Sequence, residues 1–356
     1  MNEIAVLGAG MVGRAIIYDL SRDHEVFVFD KSKSALDKIN VERKFSDDIF
    51  DRKDILDRID TVVSALPGSV SFEIIKKLIM NGKNVVDISF MPEDPFQLDS
   101  LAKENGVIFI PDAGFAPGLS NIFAGYIYKN FSKIDSIEIY VGGLPERKIP
   151  PLDYAITWNV EGLIDEYTRQ ARYIKEGKIF TIDPLDKIEP FCISSLGAFE
   201  TFYSDGLRTL LKTIGVKNIF EKTIRYPGHL EKIKLLRDLG YFSSENIDGC
   251  VPKTLTEKLF ERLKTNVTDI SILLVKGIGE KDIDLYVYDK QEMDEISSMG
   301  KMTGFTAAII TRMLDDIDYK GVYPPEFLGF EKEKFEKIKH ELRMRKINVV
   351  ETYPSK

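Results

Sequence analysis

Three glycines stand at Gly8, Gly10 and Gly13 of the segment Gly8-Ala9-Gly10-Met11-Val12-Gly13, directly behind the short apolar run 4–7. This spacing suits phosphate chemistry. The first glycine permits a tight turn, the second lets the backbone approach a pyrophosphate, and the third lets a following helix pack closely on the strand. Gly13, Ile16, Ile17 and Leu20 then recur at helical spacing, so strand, glycine turn and helix follow in that order. The unpaired amides of the helix start, at Met11 and Val12, would face the phosphates with a partial positive charge. About twenty residues after the loop, a second apolar run at 26–29 ends in Asp30, whose carboxylate can accept hydrogen bonds from both adenosine ribose hydroxyls and would repel a 2'-phosphate. The expected cofactor is therefore NAD rather than NADP, although Lys31 and Lys33 pull the other way.

The elements that would carry this chemistry continue as strands at 41–46, 61–65, 84–88 and 107–110, with helical stretches between them. Six strands alternating with helices predict a doubly wound Rossmann domain of the α/β class. Ligands of such open parallel sheets bind beyond the carboxyl ends of the strands. Asp47, Ser64, Ala65, Leu66, Pro67, Asp87, Ser89, Asp112, Ala113 and Gly114 all fall there. They are candidate cofactor contacts, with Asp47 and Asp48 near the adenine edge and Asp112 near the nicotinamide; each alone could equally cap a helix or start a turn.

From 107 onward the chain runs Val-Ile-Phe-Ile-Pro-Asp-Ala-Gly-Phe-Ala-Pro-Gly-Leu-Ser-Asn, and this stretch resembles the saccharopine dehydrogenase superfamily. The similarity extends to Ser64-Ala65-Leu66-Pro67-Gly68, to Val85-Val86-Asp87-Ile88-Ser89-Phe90-Met91, to Thr157-Trp158-Asn159-Val160-Glu161-Gly162-Leu163 and to Ile224-Arg225-Tyr226-Pro227-Gly228-His229. Its L-lysine 6-dehydrogenase branch looks closest. The resemblance implies hydride transfer between an amine-bearing carbon and the nicotinamide ring, on a small amino-acid substrate, in a homodimer or higher homo-oligomer. The lysine branch oxidises the ε-amine; the saccharopine branch acts on a secondary amine joining lysine and glutamate skeletons. A catalytically silent NAD-binding sensor is a third alternative, because fold does not fix function.

Amine oxidation needs a deprotonated nitrogen, so some residue must accept its proton, and carboxylates near that nitrogen stabilise the positive charge that develops. Asp112 is the first candidate. Glu161, at a helix start, could act as base or bind the amine, or simply favour the helix dipole. Trp158 and Asn159 could shape the pocket. Arg225 offers a guanidinium fork for a substrate carboxylate, with Tyr226 beside it; Arg169, Arg172 and Arg208 would be added for saccharopine. His229 could be a proton shuttle, a substrate ligand or a helix cap, whereas His24 and His340 read as solvated.

The second domain is expected to be α+β with a mixed or antiparallel sheet, for substrate binding and dimerisation. Its strands are expected at 137–141, 178–182, 269–275 and 284–288, and its helices at 162–173, 207–214, 230–239 and 254–264, with Ser120 or Asn121 capping an opening helix. Helices at 305–314 and 331–345 would return to the first domain, as the resemblance implies. The NAD-binding domain would then comprise 1–118 and about 300–356, with 119–299 inserted and the substrate cleft between the two.

Composition agrees with such a chain. With 356 residues, 44% of them hydrophobic, it can bury a large core, and 49 lysines and arginines against 57 acids give a net charge of -8. That balance argues against a broad nucleic-acid surface or a polybasic membrane patch. Cys192 and Cys250 are the only cysteines; neither has metal-ligand spacing, so no metal is expected and both read as packed thiols. No apolar run reaches the roughly 20 residues of a membrane span, and the strand pattern begins without a charged leader, so a cytoplasmic enzyme is expected.

Overall fold

The computed structural model describes residues 2–156, 159–263, 267–292 and 296–354. The chain falls into two compact units, Met1–Phe131 with Gly300–Val349, and Ser132–Met299 with Val350–Lys356.

Unit 1 opens with β1 (Glu3–Leu7), β2 (Glu25–Phe29), β3 (Lys44–Phe45), β4 (Thr61–Ser64), β5 (Asn84–Asp87) and β6 (Ile108–Ile110). All pair in parallel. The five longer strands are nearly continuous Val, Ile and Phe, as strands covered on both faces must be, and Val6, Val63, Val86 and Phe109 are fully buried. The third strand is much shorter than 41–46, because the run Val-Glu-Arg-Lys-Phe-Ser interleaves charges with its apolar residues and only its end pairs with β2.

In unit 2, β7 (Ile134–Pro145) is followed by β8 (Ala171–Lys175), β9 (Lys178–Ile182), β10 (Glu189–Ile193), β11 (Gly197–Tyr203), β12 (Asn218–Arg225), β13 (Asp269–Gly279) and β14 (Ile283–Lys290). The sheet is mixed: β12 lies parallel to β7, whereas β13 runs antiparallel to both β7 and β14. Its core gathers Tyr167, Phe202, Ile224, Leu230 and Ile272. The expected helix at 162–173 divides into a helix, Val160–Thr168, and the strand β8. After Thr168 the stripe 160, 163, 164, 167 ends, and Ala171-Arg-Tyr-Ile-Lys continues with β-favouring residues. Cys192 and Cys250 are exposed rather than packed. The first points away from the core of an edge strand and the second closes a small loop with Ile247.

The chain returns to unit 1 through a helix, Ser298–Arg312, and adds a seventh strand, β15 (Gly321–Val322), beside β6. The order is β15-β6-β5-β4-β1-β2-β3. Buried Asp19 anchors this return: Arg312 and Arg345 both donate to its carboxylate, at 2.6 to 2.8 Å. The helix Leu119–Asn130 belongs to unit 1, so the boundary expected after residue 118 falls after Phe131. Backbone-to-backbone packing explains this, because a Cβ on Gly125 would lie 2.2 Å from the Glu326 carbonyl and one on Gly329 2.0 Å from that of Ile122. The helix is capped at Gly118, whose amide donates to the Asn121 side chain at 3.2 Å, rather than at Ser120 or Asn121. Strand β16 (Val349–Thr352) joins the unit 2 sheet beside β14.

Candidate functional site

At the carboxyl edge of the unit 1 sheet, the strands β6, β5, β4, β1 and β2 are neighbours in that order. Their loops therefore bring Asp112 to Gly114, Asp87 to Ser89, Ser64 to Pro67, the glycine loop and Asp30 into one row. Strand order reverses beside β1, the place where open α/β sheets bind ligands.

The glycines divide their work as the spacing predicts. Gly8 has φ +100°, and a Cβ there would meet the Ala65 carbonyl at 2.5 Å; one on Gly13 would meet the Gly8 carbonyl at 2.0 Å. Both are needed by the fold itself. At Gly10 a Cβ would meet nothing within 4 Å, so that glycine leaves space rather than filling it. It stands at the N-cap of the helix Met11–Leu20, which has no side-chain cap. Open amides beside a glycine that the fold does not require are what a pyrophosphate needs.

Asp30 sits over this loop. One carboxylate oxygen accepts from the Ala9 amide at 2.6 Å, the other from the Ser32 amide at 2.7 Å. Lys31 and Asp47 are exposed, Pro67 is an exposed N-cap, and Ala65 and Leu66 are half-buried. Asp87 and Asp112 are both buried, and the Asp87 carbonyl accepts from the Ala113 amide at 2.7 Å. Burial pushes the Asp87 carboxyl up to about 7, opposed by the hydroxyls of Ser89 and Ser64 and reinforced by the charge of Asp112. Asp112 and Phe90 both have φ +53°. For a bulky aromatic that is a sparsely populated conformation, and such strain gathers at ligand sites.

Unit 2 arranges its conspicuous residues differently. His229 is fully buried, with Nε2 2.8 Å from the Tyr167 hydroxyl and Nδ1 2.8 Å from the Leu152 carbonyl. A carbonyl can only accept, so Nδ1 carries the proton and Tyr167 donates to Nε2. Burial, with the nearby Arg225 charge, lowers the imidazole to about 3. Arg225 donates from Nε to Tyr167 at 3.0 Å, from Nη1 to the Ile224 carbonyl at 3.0 Å and from Nη2 to Glu166 at 2.6 Å, and lies over the Tyr154 ring. Tyr226 donates to the Pro145 carbonyl at 2.9 Å. The Gly228 and Leu230 amides, at the start of the helix His229–Asp238, are held by Glu200. The segment 224–229 thus forms an internal lock, and its three expected roles at substrate would each require breaking it.

Asn159 caps the helix Val160–Thr168 by accepting from the Glu161 amide at 3.1 Å, and Glu161 is exposed in its first turn. Trp158 lies outside the described residues. His24 is mostly covered rather than solvated, whereas His340 is exposed. Sequence reasoning missed Tyr167, Glu166 and Glu200; the signal for Tyr167 was its place on the stripe of Val160, Leu163 and Ile164. Arg172 is held by Asp205 through two bonds of 2.8 Å, and Arg169 lies 3.5 Å from Asp165. Among the described residues no cluster of His, Cys, Asp and Glu is arranged to hold a metal ion, and no helix is long and apolar enough to cross a membrane.

Residues 4–110 match the saccharopine dehydrogenase NADP binding domain, and residues 114–347 match the saccharopine dehydrogenase C-terminal domain. The chain belongs to the saccharopine dehydrogenase family. It is 26% identical over 234 residues to the saccharopine dehydrogenase (NADP(+), L-glutamate-forming) of Pyricularia oryzae, covering 61% of this chain and 52% of that one. To the enzyme of the same description from Saccharomyces cerevisiae it is 26% identical over 266 residues, covering 68% and 59%. The chain thus matches little more than half the length of these relatives. The solved apo structure of the saccharopine dehydrogenase (L-Glu forming) from Saccharomyces cerevisiae superposes with a TM-score of 0.81 at 22% identity over 100% of both chains, which supports the fold.

Proposed function

We propose that this protein is a nicotinamide-dinucleotide-dependent oxidoreductase acting at a C–N bond of an amino acid, with unit 1 as the dinucleotide domain and unit 2 supplying the substrate side. The observation that carries this reading is the open cradle at Gly10 and the uncapped helix behind it, in a chain whose family is that of saccharopine dehydrogenase.

Gly10, Met11 and Val12 would hold the pyrophosphate, Asp30 the adenosine ribose, and the row from Ser64 to Gly114 the nicotinamide half. The bound dinucleotide supplies the hydride acceptor. Asp112 is the carboxylate we assign to the substrate nitrogen, from its place just beyond the end of β6. It would favour the cationic nitrogen that forms as hydride leaves the neutral amine, and then take the proton released when water adds.

For the substrate, saccharopine has the support of the named relatives. Lysine, with two carboxylates fewer, has the support of a structural observation: Arg172 and Arg169, two of the three arginines that would meet the extra carboxylates, are already faced by Asp205 and Asp165. For the cofactor, the names of the relatives and of the matched domain favour NADP, against the expectation of NAD from Asp30. Clamped by two amides, Asp30 serves the loop as well as any ribose. Following the absorbance of reduced dinucleotide with saccharopine or lysine, and with NADP or NAD, tests all four combinations. Turnover of either amine supports the reading; binding of dinucleotide with no turnover on any amine favours the sensor. Asp30→Ala should shift the ratio of affinities toward NADP by about tenfold if Asp30 repels the 2'-phosphate, and leave it unchanged if the loop contact is its whole role.

A further inference from the structure

Asp87 ends β5 with no exposed surface. One oxygen of its carboxyl accepts the Ser89 hydroxyl at 2.7 Å and the Ser89 amide at 3.1 Å. The other oxygen is buried and makes no hydrogen bond of ordinary length among the described residues. Across the pairing of β4 with β5 its register neighbour is Ser64, also buried, whose hydroxyl makes no hydrogen bond of ordinary length among the described residues. The Asp87 carbonyl binds the Ala113 amide, so this strand end is tied to the residue next to Asp112. The groups acting on Asp87 are the Ser89 hydroxyl and amide, the Ser64 hydroxyl and the Asp112 carboxylate. None of them is a cation.

Two carboxylates in a desolvated site cannot both ionise cheaply, and a buried anionic oxygen without a donor adds to that cost. A proton on the unpartnered oxygen of Asp87 relieves both: it removes the buried charge of Asp87, and it gives that oxygen a hydrogen to share with the Ser64 hydroxyl beside it. We propose that Asp87 is a positioning residue which holds a proton on its unpartnered oxygen, so that the sheet edge beside Asp112 presents one negative charge fewer to the substrate nitrogen. The proposal rests on the reading of Asp112 given above. Burial of Asp87 places its proton loss near neutral pH, at about 7. Above that, a negative charge arrives near Asp112, on the strand end that the Ala113 amide holds.

The test pairs an infrared measurement with kinetics. The wild-type protein should show the carbonyl-stretch band of a protonated carboxyl at pH 6, fading as pH rises past about 7 and missing from Asp87→Asn. In the same variant kcat should fall by up to about tenfold, yet lose the pH dependence that wild type shows across neutrality. A merely structural role would lower kcat and leave the shape of the profile alone. Identical infrared bands in wild type and variant at pH 6 would overturn the proposal, as would an unchanged pH profile. If Asp87→Asn does not fold, Ser64→Ala decides: removing the hydroxyl that the proton faces should shift the wild-type band, and an unmoved band counts against the pairing. If wild type turns over no amine while the band behaves as expected, the functional reading fails and the placement of the proton stands.

Discussion

The carboxyl edge of unit 1 and the segment 224–229 of unit 2 are equally conspicuous in the sequence, yet they use their polar groups in opposite ways. In unit 1 the capacity is left open: Gly10 fills nothing, and the helix behind it has no side-chain cap. In unit 2 the chain from Arg225 to Tyr167 to His229 to the Leu152 carbonyl is closed on itself. A buried polar group must be paired or it costs free energy, so a motif rich in Arg, Tyr and His can be needed for the fold as strongly as for a ligand. What distinguishes the two uses is whether the hydrogen bonds end inside the protein.

The largest effect that would break the comparison is at Gly13. Gly13→Val should abolish dinucleotide binding together with much of the stability of unit 1, because its Cβ would sit 2.0 Å from a carbonyl that cannot retreat. A folded, cofactor-binding variant would show that the glycine turn is looser than described. Next, His229→Ala should destabilise unit 2 by about 3 kcal/mol in urea unfolding, since it leaves a cavity and strands the Tyr167 hydroxyl, with dinucleotide affinity intact. The imidazole is lowered to about 3 from an ordinary 6.5, so its contribution is present above pH 6.5 and is lost as pH falls toward 3. The variant should lack that acid limb.

Glu221 offers a smaller effect of opposite sign. Burial raises its carboxyl from 4.5 to about 8 against the Ser204 hydroxyl and the Gly206 amide, and among the described residues its Oε2 makes no hydrogen bond of ordinary length. Its stabilising contribution is therefore complete below pH 4.5 and is lost as pH rises through 8. Glu221→Gln should raise the stability of unit 2 at pH 8 by about 2 kcal/mol and flatten its decline between pH 5 and 8, read by denaturation at each pH. Smallest of all, Asn159→Ala should cost about 1 kcal/mol through the lost cap. If it instead removes activity without loss of stability, Asn159 belongs to the substrate side after all.

The sequence disclosed unit 1 because a parallel sheet covered on both faces writes itself as short apolar runs, and the glycine spacing marks where they begin. Only β15 escaped, since the two residues Gly321–Val322 carry no pattern of their own. Unit 2 was less legible. β12, which carries Arg225, reads as Asn-Ile-Phe-Glu-Lys-Thr-Ile-Arg, and its charged residues conceal a strand whose members are mostly buried. Those charges are tolerated because they are paired, as Lys222 is with Glu189 and Arg225 with Glu166, and pairing over long sequence distance cannot be seen in a local run. For the same reason Asp30 was visible as a carboxylate at a strand end, but its two amide partners were not.

The distinction between an open cradle and a closed lock is tested most directly at Gly10. Titrating wild type and Gly10→Ala with the reduced dinucleotide, while following their thermal unfolding without ligand, separates the two uses of a conspicuous residue. Gly10→Ala should keep the wild-type melting temperature and bind more weakly by about tenfold or more, because the added methyl meets only the space where a pyrophosphate would lie. An unchanged affinity would contradict this.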